Sequence, residues 1–414
     1  MLRIPELVLM QIARSSTLLA WQLIPLPSLS IVIHLSRVPN GGPEYRYQYW
    51  PIQHMYYDKE PYLPTHPTNM ALSERYWLSS KGISIYVNET SPLFLDQNNY
   101  LDNHLCLIAK NKAPYRHRDS IQLNYELGVF LDPKTAHQNM VKTHLGKPTG
   151  HPDERMIQHP IWSTWARYKA NITDKIVETY ADEIIANKFY NSQIEIDDKW
   201  ETCYGSAVFD PIKFPNVTAL VQRLKQKGFR VTLWIHPFIN RDCEPAYSTA
   251  LQNSFFVKDL NRRVQMSWWQ ELFIRWLQAN VFMPSLQYSF VPWDYDKETI
   301  AICKKYTDLH ANMTPEILNA MQQAITKGTP VNPPIWWIDP TDEEAYKIND
   351  EYLLGETILA APVTQEGFTR RDIYLPIGTW FDPNKGTIIN GPTWLRDYDA
   401  PLDILPYFIK KKHY

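Results

Sequence analysis

The sequence has little glycine, almost no net charge and no long basic run. Glycine accounts for only 14 of the 414 residues, about half of the usual share of ~7%. Lys and Arg together number 42 against 44 Asp and Glu, and the longest basic stretch is Lys410–Lys412. A phosphate backbone needs a larger concentration of positive charge, so the composition argues against nucleic acid as a partner.

Short motifs for several common chemistries are also absent. The four cysteines form no C-x-x-C pair and no histidine pair has the spacing of a zinc site, so we expect no metal. No G-x-S-x-G, G-x-x-x-x-G-K or G-x-G-x-x-G motif occurs, so we also expect no nucleotide cofactor. A disulfide between Cys203 and Cys243, joining two neighbouring loops, remains open.

The N-terminal part of the chain has two interpretations. Residues 15–36 carry no Asp, Glu, Lys or Arg, which fits either a signal or membrane-anchor segment or buried strands. Sequons at Asn88, Asn171 and Asn216 predict glycosylation and entry into the secretory pathway, in the endoplasmic reticulum or at a membrane. A fourth sequon at Asn312 is a poorer acceptor because Pro315 directly follows it.

The hydrophobic pattern predicts a chain of several domains. After an N-terminal segment, residues 1–40, short alternating apolar runs over 41–155 predict a β-sandwich. Residues 156–345 alternate between strand and helix patterns, which indicates a parallel sheet. Short strands return over 346–414 and predict a C-terminal β domain. The fold class is therefore α/β with flanking β domains.

The α/β region is too short for a complete (β/α)8 barrel. Strands are predicted at 160–165, 192–197 and 229–235, with helices beginning near Thr173 and Asn216 between them. The later candidate for a barrel strand is 331–338. A full barrel has eight strands and usually ~250 residues. The pattern therefore predicts a partial barrel with strands four to seven missing.

Candidate site residues lie where the predicted parallel strands end, because ligand sites of such sheets form there. These positions hold Trp165, Asp197, Asp198 and His236, with Trp200 close by. Carboxylates accept hydrogen bonds from vicinal hydroxyls and an indole offers a flat surface to a sugar ring, so the group suits carbohydrate. The alternatives are a helix cap or turn for Asp197, core packing for Trp165 and a loop histidine for His236.

Several longer stretches carry a family resemblance. The chain resembles glycoside hydrolase family 31, and within it an α-galactosidase-like branch. The matching stretches occur in family order from about residue 41 to the C-terminus and lie at 75–82, 159–168, 194–198, 229–238, 271–277, 282–284, 328–331, 359–363 and 374–380.

The resemblance implies retaining hydrolysis of an α-linked galactoside or glucoside. That reaction uses two carboxylates ~5–5.5 Å apart, and in this family both are Asp. The nucleophile belongs to a Lys-Phe-Asp-like motif that ends the fourth strand, and the acid/base follows a later strand. Neither motif occurs here, because the pattern up to Trp269 is joined almost directly to the pattern at Glu271. No catalytic residue is therefore assigned.

Residue by residue, the family resemblance implies positions that bind sugar and none that is catalytic. Asp197 and Asp198 correspond to positions facing the sugar in the −1 subsite, and Trp165 and His236 correspond more loosely. Gln287 and Ser289 replace the Arg and His of many α-glucosidases, as in the galactosidase-like branch. Two functions stay open: a glycoside hydrolase that is catalytically incomplete, and a non-catalytic carbohydrate-binding or interaction protein.

Overall fold

The computed structural model describes residues 29–34, 52–64, 74–99, 103–115, 120–236, 239–253, 274–365 and 367–411. Two compact units emerge from its contacts: residues 1–147 with 335–349, and residues 148–334 with 350–414. The first break falls near the predicted boundary at 155. Residues 335–345, which the sequence pattern groups with the barrel, belong to the first unit.

The first unit contains two antiparallel sheets. One has the order β1-β6-β5-β2 and the other β3-β4-β7. The strands are β1 Leu29–His34, β2 Tyr57–Pro61, β3 Tyr76–Leu78, β4 Ile83–Val87, β5 Leu93–Gln97, β6 His104–Ala109 and β7 Tyr125–Val129. One apolar core draws on both sheets, with Trp77 and Val87 from one and Leu93 and Leu107 from the other. Shared burial of this kind is the organisation of a β-sandwich.

The N-terminal segment is described only over Leu29–His34. These six residues form β1 and pair antiparallel with β6 along their whole length. This part of the uncharged segment therefore follows the strand interpretation, and residues 1–28 lie outside the described residues. No helix within the described ranges is long and apolar enough to cross a membrane.

The second unit contains a parallel sheet of four strands. They are β8 Ile161–Ser163, β9 Gln193–Ile196, β10 Arg230–Leu233 and β11 Gln287–Tyr288, in the order β10-β9-β8-β11. The first three confirm the predicted strands. The prediction for 331–338 is wrong, because Ile335–Trp337 form a 3-10 helix. Pro333 and Pro334 have no N–H group to donate to a ladder, and the real fourth strand is only two residues long.

Helices flank this sheet and begin where their caps lie. Thr173 Oγ1 accepts from the Ile176 N–H at 3.2 Å, and Asn216 Oδ1 accepts from the Ala219 N–H at 3.0 Å. The helices of the chain are α1 Pro133–Met140, α2 Glu154–Gln158, α3 Trp165–Tyr168, α4 Asp174–Ala186, α5 Val217–Gln226, α6 Ala246–Gln252, α7 Ile274–Asn280, α8 Lys297–Asn312 and α9 Thr314–Lys327. Both predicted helix starts are confirmed.

A five-stranded antiparallel sheet completes the second unit. Its strands are β12 Tyr352–Leu354, β13 Ile358–Ala360, β14 Arg370–Asp382, β15 Thr387–Asp399 and β16 Tyr407–Lys410, in the order β12-β13-β16-β14-β15. The C-terminal β domain predicted from the sequence is confirmed. Fully buried Trp380 and Phe408 fill its core.

Candidate functional site

The carboxyl ends of the four parallel strands lie at one edge of the sheet, because neighbouring parallel strands run in register. Trp162 of β8 lies opposite Ile194 of β9, and Leu233 of β10 lies opposite Ile196. The residues just beyond these positions are therefore neighbours across the sheet. The sequence predictions Trp165, Asp197 and His236 all fall in this edge.

Asp197 is the first residue after β9, and three hydrogen bonds fix its position. Its residue is only 7% exposed. The Ser163 hydroxyl donates to Asp197 Oδ2 at 3.1 Å, and the Asp198 N–H donates to Oδ1 at 2.7 Å. The Asp197 N–H in turn donates to Thr164 Oγ1 at 2.9 Å. These contacts come from strand ends, so Asp197 is oriented by the sheet and does not cap a helix.

Glu195 lies on the same face as Asp197, because side chains two residues apart on a strand share a face. Burial raises the pKa of the Glu195 carboxyl, and a hydrogen bond and charge repulsion from Asp197 raise it further. The Glu195 carboxyl therefore binds a proton more readily than an isolated glutamate does. Glu195 was not among the predicted site residues, although alternation with Asp197 along β9 is a sequence signal for it.

Asp198 is also buried, at 9% exposure, and its carboxylate has a different partner. The Tyr204 hydroxyl donates to Asp198 Oδ1. Burial, followed by that hydrogen bond, raises the pKa of Tyr204 far above its ordinary value, so the phenol stays protonated and remains a donor. Lys199 Nζ lies 4.1 Å from the centroid of the Tyr204 ring.

His236, another residue predicted to bind sugar, is surrounded by residues of the neighbouring strand ends and loops. Its side chain is 2% exposed, and Nε2 donates to Oε1 of Glu201, whose side chain is 4% exposed. The ring also lies 4.7 Å from the ring of Trp234 and 4.7 Å from that of Tyr204, between centroids. Nothing in the sequence indicated Glu201 as the partner, since the two positions are 35 residues apart.

Trp165 begins the short helix α3 and is half-buried. Its N–H donates to Ser163 Oγ at 3.3 Å, and the next N–H, of Ala166, donates to Ser289 Oγ at 2.7 Å. Ser289 directly follows β11, so its hydroxyl ties the end of the fourth strand to the loop after the first. The structure thus brings Trp165 and Ser289 to the same edge as the two aspartates.

A disulfide joins the loops that follow β9 and β10. Cys203 and Cys243 are bonded, with their Cα atoms 5.6 Å apart, which settles the pairing that the sequence left open. Cys106 and Cys303 are free and buried. In the described part of the chain, no group of three or more His, Cys, Asp or Glu side chains has the arrangement of a metal site.

The three predicted glycosylation positions are exposed side chains on separate elements. Asn88 follows β4, and its Oδ1 accepts from the Thr90 N–H at 2.9 Å. Asn171 lies between α3 and α4, and Asn216 is the cap of α5. Each could carry a glycan without displacing core residues.

Two family profiles match the chain. The profile for the glycosyl hydrolases family 31 TIM-barrel domain matches residues 159–271, and that for the glycosyl hydrolase family 31 C-terminal domain matches residues 328–413. The first contains β8, β9 and β10 with the candidate site. The second contains the whole antiparallel sheet.

Among curated relatives, the chain is similar to the myogenesis-regulating glycosidase of Mus musculus. The two are 26% identical over 529 residues, covering 89% of this chain and 74% of the relative. The aligned stretch is longer than the 414-residue chain, so the relative carries residues within it that this chain lacks. The SITS-binding protein of Tetronarce californica is 36% identical over 148 residues, covering 34% of this chain and 21% of that protein.

Solved structures show the same fold. A family 31 dextranase of Flavobacterium johnsoniae in complex with glucose superposes with a TM-score of 0.75 at 16% identity, covering 93% of this chain and 66% of the dextranase. The chain thus spans about two thirds of that enzyme.

Three strands of the parallel sheet, with their strand-end carboxylates, and the antiparallel sheet after it lie in the parts of the chain that the two family profiles match. The chain resembles glycoside hydrolase family 31, and within it the myogenesis-regulating glycosidase.

Proposed function

We propose that this chain binds a terminal α-linked galactose or glucose at the strand ends of the parallel sheet and does not hydrolyse it efficiently. The observation that carries the proposal is the pair Asp197 and Asp198, buried side by side after β9 and each oriented by a hydroxyl group. Paired, oriented carboxylate oxygens accept hydrogen bonds from neighbouring hydroxyls of one sugar ring.

Loss of hydrolysis is supported by what lies between β10 and β11. In the described ranges the parallel sheet ends at β10 on one side and at β11 on the other. The barrel profile stops at residue 271 and the C-terminal profile starts at 328, while the glycosidase relative has additional residues within the aligned stretch. By the family resemblance, the motifs for nucleophile and acid/base belong to strands that the described part of this sheet does not contain.

A second candidate is residual hydrolysis by Glu195 and Asp197, which the raised pKa of Glu195 favours. A protonated and an ionised carboxyl are what a general acid and a nucleophile need. Retaining hydrolysis, however, places its two carboxyls ~5–5.5 Å apart so that the glycosidic bond fits between them. Glu195 and Asp197 lie two residues apart at the end of one strand, so their carboxyls approach a ligand from the same side instead of flanking its glycosidic bond.

The sugar class follows from the relatives. Their names include an α-glucosidase, an α-xylosidase and a 1,3-α-isomaltosidase, which all denote α-linked sugars. We favour galactose because Gln287 and Ser289 stand where glucose-specific members have Arg and His. One relative is named for binding and not for catalysis, which supports a non-hydrolytic role for this chain.

Calorimetric titration with methyl α-galactoside and methyl α-glucoside, beside a hydrolysis assay with 4-nitrophenyl α-glycosides, tests the proposal. We expect measurable binding, hydrolysis at background, and at least about tenfold weaker binding in Asp197→Asn, because a charged hydrogen-bond acceptor is removed. Asp372→Asn, in an exposed pair with Arg396, is the control and should bind like the wild type.

Two results would overturn this function. The first is the absence of binding to either sugar by a folded wild-type chain. The second is hydrolysis that survives repurification and disappears in Glu195→Gln, which would establish the second candidate.

A further inference from the structure

Two loops beside the aspartates are fastened to each other by several independent contacts. The β9 loop is defined here as residues 199–207 and the β10 loop as residues 239–243. The Cys203–Cys243 disulfide joins them covalently. The Asn240 N–H also donates to the Tyr204 carbonyl at 2.9 Å. A Cβ on Gly205 would lie 2.8 Å from Ile239 Cγ1 and 3.1 Å from its Cα, so the two backbones are in close contact.

Glu201 is the centre of the β9 loop. Its Oε2 accepts from the Ala207 N–H at 2.9 Å and from the Gly205 N–H at 3.1 Å. Its Oε1 accepts from His236, which lies three residues beyond the end of β10. One buried carboxylate therefore holds the fold of its own loop and binds it to the next strand end.

The β9 loop contains conformations that need such support. Lys199 has φ 64° and Ala207 has φ 53°, both in the left-handed region that side chains with a Cβ rarely adopt. Conformations of this kind persist where surrounding contacts fix them. The hydrogen bond from Ala207 to Glu201 is one of those contacts.

Tyr204 links this assembly to the sugar site. Its hydroxyl donates to Asp198, its ring lies nearly perpendicular to that of His236, and its carbonyl accepts from the Asn240 N–H of the β10 loop. With one carboxylate oxygen of Asp198 occupied by the phenol, rotation of that carboxylate is restricted. Its other oxygen then has a fixed direction toward a ligand.

We infer that Glu201 and His236 are positioning residues and that Tyr204 sets the orientation of Asp198 for sugar binding. The inference rests on the proposed sugar-binding function. It adds that contacts between the β9 loop and the β10 loop hold the sugar-binding carboxylate of Asp198 in place. None of the three residues needs to touch the sugar for its loss to weaken binding.

Titration of the full chain with methyl α-galactoside is the first test. We expect Tyr204→Phe and Glu201→Ala each to weaken binding about tenfold, since each loses a hydrogen bond to or from a charged group. The double variant should be little worse than either single one, because both act through Asp198. His236→Gln, which keeps a donor near the Nε2 position, should bind better than His236→Phe.

Two controls have matched chemistry outside the site. Tyr398 donates to Asp382 at 2.9 Å in the antiparallel sheet, and Glu126 pairs with His144 at 3.2 Å in the first unit. Tyr398→Phe and Glu126→Ala should leave sugar affinity unchanged. Loss of affinity in these controls equal to that in Tyr204→Phe would show a general stability effect and overturn the inference.

Amide hydrogen exchange provides a second readout that does not depend on sugar. We expect Glu201→Ala, or Glu201→Gln if the alanine variant does not fold, to speed exchange at Gly205 and Ala207 at least about tenfold while β9 stays protected. A wild type that binds no sugar but shows this exchange change would refute the proposed function and leave the loop assembly standing. Unchanged exchange, or sugar affinity within twofold of wild type in Tyr204→Phe, would overturn the inference.

Discussion

The two sheets of the second unit differ in where along the chain their strands find pairing partners. In the antiparallel sheet, β14 and β15 are 13 residues long and pair with each other over most of that length. In the parallel sheet the strands have two to four residues, and all four residues of β10 are only half-buried. Ile235, just after β10, is 71% exposed. The two strands of a hairpin form backbone hydrogen bonds with each other across a short turn. A parallel strand instead pairs with strands from distant parts of the chain.

The largest effects should come from the cores of the two sheets. Trp162 is fully buried and stacks on Tyr288 with ring centroids 4.7 Å apart, and Trp380 is fully buried in the antiparallel sheet. Truncation of either to Ala should lower stability by about 3–5 kcal/mol. Sugar binding, measured below the melting transition, should be lost in Trp162→Ala and kept in Trp380→Ala. Equal loss in both would mean that the sheets are not functionally distinct.

A pH effect of a few kcal/mol is expected beside the antiparallel sheet. Burial raises the pKa of Glu351 to about 8, despite Arg371 Nη2 at 3.3 Å. Its Oε2 has no hydrogen-bond partner among the described residues. The folded chain thus binds this proton more tightly than the unfolded chain does. The contribution of this proton to the free energy of unfolding is fully present below pH 4.5 and is lost as the pH rises toward 8.

Glu351→Gln, which cannot ionise, removes that dependence. Relative to wild type, it should be more stable at pH 9 by about 3 kcal/mol and lose this advantage near pH 5. Thermal unfolding at the two pH values measures the difference. Glu344→Gln, at a more exposed pair with Lys347, is the control, and the account of Glu351 is wrong if both variants respond alike.

A glycine of the β9 loop and a glycine of the antiparallel sheet should respond differently to a methyl group. Gly205 has φ 97°, and a Cβ there would lie 2.8 Å from Cγ1 and 3.1 Å from Cα of Ile239. Gly378 has φ 141°, and a Cβ there would lie 2.9 Å from Cε of the flexible Lys410 side chain. Both Ala variants are strained by φ, but only Gly205→Ala also meets a branched side chain close to its own backbone. We expect a loss of about 2–3 kcal/mol for Gly205→Ala and about 1 kcal/mol for Gly378→Ala by chemical unfolding. The reverse order would contradict the close packing of the loops.

The smallest expected effect is a loss of stability at Asn216, which distinguishes its role as a helix cap from its role as a glycosylation position. If the chain enters the secretory pathway, Asn216 can carry a glycan while its Oδ1 caps α5. Expressed in a eukaryotic host, Thr218→Ala and Asn216→Gln should both remove one endoglycosidase-sensitive mass increment. Only Asn216→Gln should also lose about 1 kcal/mol of stability. A wild-type mass unchanged by endoglycosidase, with the same result at Asn88 and Asn171, would argue against secretory entry.

Local signals predicted much of this molecule. The caps Thr173 and Asn216, the first three parallel strands and the antiparallel C-terminal strands follow from periodicity and turn residues. The two-residue β11 carries no periodic signal, because its place is set by pairing with β8, more than 120 residues earlier in the chain. An apolar run with two prolines was mistaken for it.

The site shows the same division. Asp197 and Asp198 were predictable because a strand end places them, and Glu195 could have been found from alternation alone. Glu201 and Tyr204 could not, since their roles depend on contacts with His236 and Asp198 that only the folded loops create. Resemblance to a family supplied the sugar, which no spacing of residues in this chain specifies.

Amide hydrogen exchange along β10 tests most directly whether the site-bearing sheet ends there. The Trp234 N–H donates to Ile196 O at 2.9 Å, so by alternation the Thr232 N–H points to β9, whereas the N–H groups of Val231 and Leu233 point away from it. The account predicts protected amides at Thr232 and Trp234 and exchange about 100-fold faster at Val231 and Leu233. Equal protection at all four would show a further strand paired with β10 and contradict an open sheet.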